Sequence, residues 1–95
     1  MRLIFSPQAA IDIDEIYDFT AYTWGVARAE LYTLEIRRGC MALSRSELRG
    51  RPLDRVRPGY FSLSSGSHFI IYKQDDANLT IVRILHQRMN IAAHL

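Results

Sequence analysis

The stretch SPQAAIDIDEIYDFTAYTWG, residues 6–25, reads as a helix with both ends specified. Ser6 supplies an N-cap hydroxyl, and Pro7 sits at the first helical position, where a missing N–H costs nothing. Gly25 follows Trp24 and can take the left-handed conformation that stops a helix. Asp12, Asp14, Glu15 and Asp18 crowd the first half, toward the positive end of the helix dipole. Ala9, Ile13, Ile16, Tyr17, Thr20 and Trp24 recur at three- and four-residue steps and form one apolar stripe, expected to be core. A second amphipathic segment starts directly after Gly25, so the chain must fold back as a helical hairpin.

That second helix, expected over Val26 to Leu43, carries two apolar faces when laid out at 100° per residue. Ala27, Leu31, Leu34 and Met41 fall in one arc, while Ala29, Tyr32, Ile36, Cys40 and Leu43 fall nearly opposite. One face can pack on a sheet; the other meets the first helix or something outside the chain. Ile11, Phe19 and Tyr22 also lie off the first helix's stripe, and with the spare face they point to an exposed apolar groove of the kind that marks a binding surface.

The rest of the chain reads as strands. Arg2 to Phe5 is a short apolar run, and three more runs follow at Tyr60 to Ser64, His68 to Gln74 and Leu79 to His86. Ser65-Gly66 and Asp75-Asp76-Ala77-Asn78 separate the last three, as in tight hairpins. Between them and the helices, residues 45–59 lack periodicity and hold five arginines, a loop that is either a solvated segment or a contact surface. Strand, helix, helix and a three-stranded antiparallel meander make an α+β domain, with both helices on one face of a small sheet that the first strand joins.

At 95 residues the chain predicts one domain over 1–95. Its lone Cys40 cannot form an internal disulfide, and MRLIFSPQAA lacks the features of a secretory signal, which together point to a cytoplasmic protein. No stretch approaches the length of a membrane-spanning helix. The net charge of +2 is unevenly spread. Residues 1–48 hold five Arg against seven acids, a balance of −2, and residues 49–95 hold six Arg and one Lys against three acids, a balance of +4. An anionic partner suits the second half, although the total is below that of a dedicated nucleic-acid domain.

One Cys and three scattered His give no metal-ligand spacing, and no glycine-rich phosphate loop or cofactor motif is present. Metal-free acid–base chemistry remains, with His86 as acid or base and Arg83, Arg88 and Arg57 as cations for a phosphorane. Strand alternation places His86 with Ile84 and Arg88, and turns Arg83 away with Ile81 and Leu85. Only His86 and Arg88 are then expected to act together.

Several short motifs, taken in order, resemble the ParE branch of the RelE/ParE toxins of bacterial toxin–antitoxin modules. They are Ser6-Pro7 with the acidic helix, Trp24-Gly25, Gly50-Arg51-Pro52, Arg57-Pro58-Gly59, Gly66-x-His68 leading into Ile71-Tyr72, and Arg83-Ile84-Leu85-His86 followed by Arg88. The resemblance implies a non-enzymatic toxin that inhibits DNA gyrase and is neutralised by a ParD-like antitoxin in a hetero-oligomer, with no cofactor. The alternative within the superfamily is a ribosome-dependent messenger-RNA endoribonuclease using His86 and Arg88. A tail of Ala92-Ala93-His94-Leu95 without tyrosine, and Lys73 as the only lysine, disfavour that alternative. An antitoxin helix laid along the hairpin is expected to touch Tyr32, Ile36 and Leu43. The target is expected to meet Arg51, Arg57, Arg88 and Met89.

Overall fold

A computed structural model describes all 95 residues. Strand β1 spans Arg2–Phe5, helix α1 Pro7–Trp24 and helix α2 Val26–Ser44. Then come β2 at Arg51–Pro52, β3 at Tyr60–Ser65, β4 at His68–Gln74, β5 at Asn78–His86, and a 3-10 turn at Ile91–His94. The sheet order is β1-β5-β4-β3-β2, with β1 parallel to β5 and every other pair antiparallel. The α+β expectation therefore holds, with one strand more than expected. Arg51–Pro52 pairs with Phe61 and Ser62 inside the arginine loop, too short a strand to leave a periodic signal.

The expected caps form. Ser6 Oγ accepts from the Ala9 N–H at 3.0 Å, and Gly25, at φ +96°, donates its N–H to the Ala21 carbonyl. Helix α1 packs against α2 and, on the sheet, mainly on β5, and α2 lies across β1, β3 and β5. Ala9, Ile13, Ile36, Cys40, Leu43, Ile70, Tyr72, Leu79, Ile81 and Ile84 form the core between them.

The ambiguity of α2 is resolved by size. Its buried residues are Ala29, Thr33, Ile36, Cys40, Leu43 and Ser44, an arc dominated by small side chains that let the backbone approach the sheet. A Cβ on Gly39 would come within 3.2 Å of Ile70 Cδ1. Ile36 and Leu43, expected to meet a partner, are 0% and 2% exposed and belong to the core. The outward face is the opposite one, where Leu31, Leu34 and Met41 are exposed. Trp24, expected in the core, is 67% exposed. It is the last residue of α1, at the hairpin corner and on the rim of a groove.

Strand β5 departs from simple alternation. Leu79, Thr80 and Ile81 face Gln74, Lys73 and Tyr72, but Arg83 faces Ile71, so Val82 is an extra residue. This β-bulge switches the helix-facing set from Leu79 and Ile81 to Ile84 and His86. Without it His68 would oppose Leu85; with it His68 opposes His86.

Candidate functional site

Strand β1 ends at Phe5, opposite Ile81, and leaves the far edge of β5 without a neighbouring strand. Unpaired strand edges need partners, and the start of α1 supplies them. Ser6 donates its N–H to the Ile81 carbonyl at 2.9 Å and its hydroxyl to the Val82 carbonyl at 2.7 Å. Nearly two turns further on, Asp12 Oδ2 accepts the Ile84 N–H at 2.9 Å.

Asp12 is 5% exposed, and Arg83 grips it with two bonds, Nε to Oδ2 at 2.8 Å and Nη2 to Oδ1 at 3.0 Å. Gln8 adds a fourth donor at 3.1 Å. Burial pushes the Asp12 pKa upward, but the bonds from Arg83, Ile84 and Gln8 outweigh it and hold the carboxyl below 3.8. The same hydrogen bonding raises Arg83. Arg83 also donates Nη1 to the His94 carbonyl at 3.3 Å, tying the C-terminal turn to α1. By register Arg83 does share a face with Leu85, as alternation predicts, but the bulge separates it from Ile81, and its guanidinium folds round the free edge to reach Asp12.

At the mouth of the β3–β4 hairpin, Tyr32 reaches up from α2. Its hydroxyl oxygen accepts the Ser67 N–H at 2.9 Å and lies 2.6 Å from His68 Nδ1. The Tyr32 hydroxyl has no other acceptor within the chain, so its proton is assigned to Nδ1, which leaves His68 neutral with its own proton on Nε2. Gly66 permits the approach: it has φ +56°, and a Cβ there would stand 2.7 Å from the Tyr32 hydroxyl. Burial lowers the His68 pKa, the neighbouring His86 lowers it further, and Asp12 opposes them.

His86 lies edge-on to His68, with ring centroids 5.2 Å apart. Its Nδ1 accepts the Arg88 backbone N–H at 3.1 Å. The expected pairing of His86 with the Arg88 side chain does not form, because Arg88 follows the strand's end and lends His86 its main chain. His68, Tyr32, Asp12, Arg83 and His86 instead share the wall of one open groove of ≈ 460 Å³, which Phe19, Trp24 and Met89 also line. Arg28 stands 5.8 Å from the Trp24 ring centroid. No three His, Cys, Asp or Glu side chains converge as a metal site would need, and buried Cys40 has its thiol pKa pushed up to about 12.

The expected target residues fall into two places. Met89 lines the groove and Arg88 adjoins it, while Arg51 and Arg57 lie toward the opposite end of β3. Three groove residues carried signals that single-residue reading misses. Asp12 interrupts an apolar stripe, Tyr32 lies on the core arc of α2, and His68 meets His86 only through a bulge.

The profile describing the ParE toxin of the type II toxin–antitoxin system parDE matches residues 3–91. The chain is 38% identical over 95 residues to Toxin ParE1 of Mycobacterium tuberculosis, covering 99% of this chain and 97% of that one. It is 34% identical over 90 residues to Toxin ParE1 of Caulobacter vibrioides, covering 95% and 93%. In fold it is similar to a structure of the chromosomal ParDE system from P. aeruginosa, with TM-score 0.79 and 24% identity, covering 90% of this chain and 95% of that one.

Proposed function

The chain belongs to the ParE family of toxins of type II toxin–antitoxin systems, and from that premise we propose that a ParD-like antitoxin holds it inactive and that, once released, it inhibits DNA gyrase by binding. The observation that supports a protein partner is the hairpin's apolar surface. Phe19 is 69% exposed and Leu31 66%, and Tyr22, Val26 and Leu34 are also open to solvent. Side chains of this size left in water at one corner of a small protein are what a partner helix covers. Leu31, Leu34 and Met41 replace Ile36 and Leu43 as the α2 residues offered for that contact.

The target reading keeps Arg51, Arg57, Arg88 and Met89 as contacts, arranged as two separate patches. Induced expression should stop growth and leave cleaved, gyrase-linked DNA in the cells, and the neighbouring antitoxin frame should relieve it. Intact DNA with ribosome-dependent messenger-RNA cleavage would sink the gyrase reading in favour of the nuclease. The nuclease has less support in the site, since the Arg88 N–H occupies the His86 lone pair that a base would need. A Leu31→Glu protein should stay folded and toxic yet escape the antitoxin; full neutralisation of that variant would remove α2's outward face from the interface.

A further inference from the structure

Both histidines of the groove are set to donate. Tyr32 occupies His68 Nδ1 and the Arg88 N–H occupies His86 Nδ1, so each neutral ring carries its proton on Nε2. Neither Nε2 has a partner within the chain, yet neither is a buried atom lacking one. Both N–H groups therefore open to solvent, on rings 5.2 Å apart whose side chains line the groove. The rings meet edge to face at 82°, and two N–H donors on adjoining rings of one groove are a demand for acceptors that the two oxygens of one carboxylate can meet.

The surroundings say what kind of molecule carries it. Phe19, Trp24 and Met89 give the groove an apolar wall, and Arg28 adds an unpaired cation beside Trp24. The Arg83 charge is already neutralised by Asp12. Glu15 lines the same wall, with Asp14 and Asp18 exposed on the same helix. A strand of nucleic acid would bring a phosphate every few ångströms against those acids, whereas a single carboxylate flanked by apolar side chains would not.

We propose that the groove receives an acidic side chain from an apolar peptide segment of a protein partner, its carboxylate accepting from Nε2–H of His68 and His86 while a neighbouring apolar side chain packs against Phe19, Trp24 and Met89. The inference rests on the reading that an antitoxin protein covers the toxin, and it names the polar anchor of that contact.

The test titrates the full chain with acetyl-Leu-Glu-Phe-amide and with its glutamine counterpart, following the imidazole ¹⁵N and ¹H resonances at neutral pH. The glutamate peptide should shift both Nε2 signals and bind at least about fivefold more tightly, the scale of one charge-assisted hydrogen bond. A His86→Phe protein, which leaves the Tyr32–His68 bond in place, should lose that preference while keeping its folded spectrum. Equal binding of the two peptides, or none, overturns the proposal. So does adenosine monophosphate binding more tightly than the glutamate peptide, which would make the groove a nucleotide site. A toxin relieved by its neighbouring frame but blind to the Glu/Gln exchange loses this inference alone; one that no neighbouring frame relieves loses the partner reading as well.

Discussion

The two ends of strands β3 and β4 are built on opposite plans. At the hairpin end, the Tyr32 hydroxyl, the Ser67 N–H, the Arg88 N–H and the Nδ1 atoms of His68 and His86 all have partners within the chain, and next to them the one salt bridge of the protein joins Asp12 to Arg83. At the other end, roughly 17 Å away along five residues of strand, Arg57 and Lys73 both approach the Tyr60 ring, at 4.9 and 5.8 Å. The arginines of the preceding loop pair with no acid. Polar groups that are buried must be satisfied at the moment of folding, so the first end is fixed before any partner arrives. Exposed cations cost little to leave unpaired, so the second end is shaped by whatever anion comes to it.

The largest effect expected from breaking this contrast is that of Asp12→Ala. It removes the acceptor of Arg83, Gln8 and the Ile84 N–H and should cost roughly 3 kcal/mol of unfolding free energy, as when one partner of a buried ion pair is deleted. Denaturant unfolding measures it, with exposed Asp14→Ala as a control expected to change by less than about 0.5 kcal/mol. A loss as small as the control's would mean that the hairpin end is not prearranged after all.

Next comes Tyr32→Phe, which strands the Ser67 N–H and His68 Nδ1. A loss of about 1–2 kcal/mol is expected, together with faster hydrogen exchange at Ser67; an unchanged exchange rate at that amide would contradict the assigned bond.

The pH dependence is a smaller and more specific signal. Because the folded His68 pKa lies below 6.5, the unfolded chain takes up a proton as pH falls through 6.5 while the folded chain does not. Stability is therefore complete above 6.5 and declines down to the lower folded value. Asp12 adds a second loss in strong acid, as pH falls below 3.8 and through its depressed folded pKa. His68→Gln should abolish the upper step and keep the lower one. If the upper step survives that substitution, another group causes it.

The smallest effect on folding is expected at the cationic end. Arg57→Ala removes an exposed cation from the Tyr60 face and should change stability by no more than about 0.5–1 kcal/mol. Its consequence should appear in salt-sensitive association with the target, measured as binding at two ionic strengths. If instead the protein unfolds readily, the two ends are not different in kind.

Much of the fold was legible because local chemistry and global packing agree. Ser6-Pro7 and Gly25 bound α1, the turn residues delimit β3, β4 and β5, and the hairpin follows from adjacency. What was not legible depended on size and register. Two apolar arcs run along α2, and it is the small residues on one of them, with Gly39 beside them, that let it meet the sheet. Asp12 looked like a dipole-matched surface acid because its partner lies on β5, far along the chain. His68 and His86 cannot be paired by counting back from the Asp75–Asn78 turn, since that count runs one residue out beyond Val82.

The surplus residue has a mechanical consequence. Strand β5 is one residue longer than the stretch of β4 it pairs with, and the slack, roughly 3.3 Å of chain, is taken up where Ser6 turns β1 into α1. The strand is thereby divided into two spans, joined at a residue whose carbonyl the Ser6 hydroxyl holds at 2.7 Å. Ser6 therefore sets both the start of α1 and the phase of the span that carries His86, so that one residue aligns helix and strand around the groove.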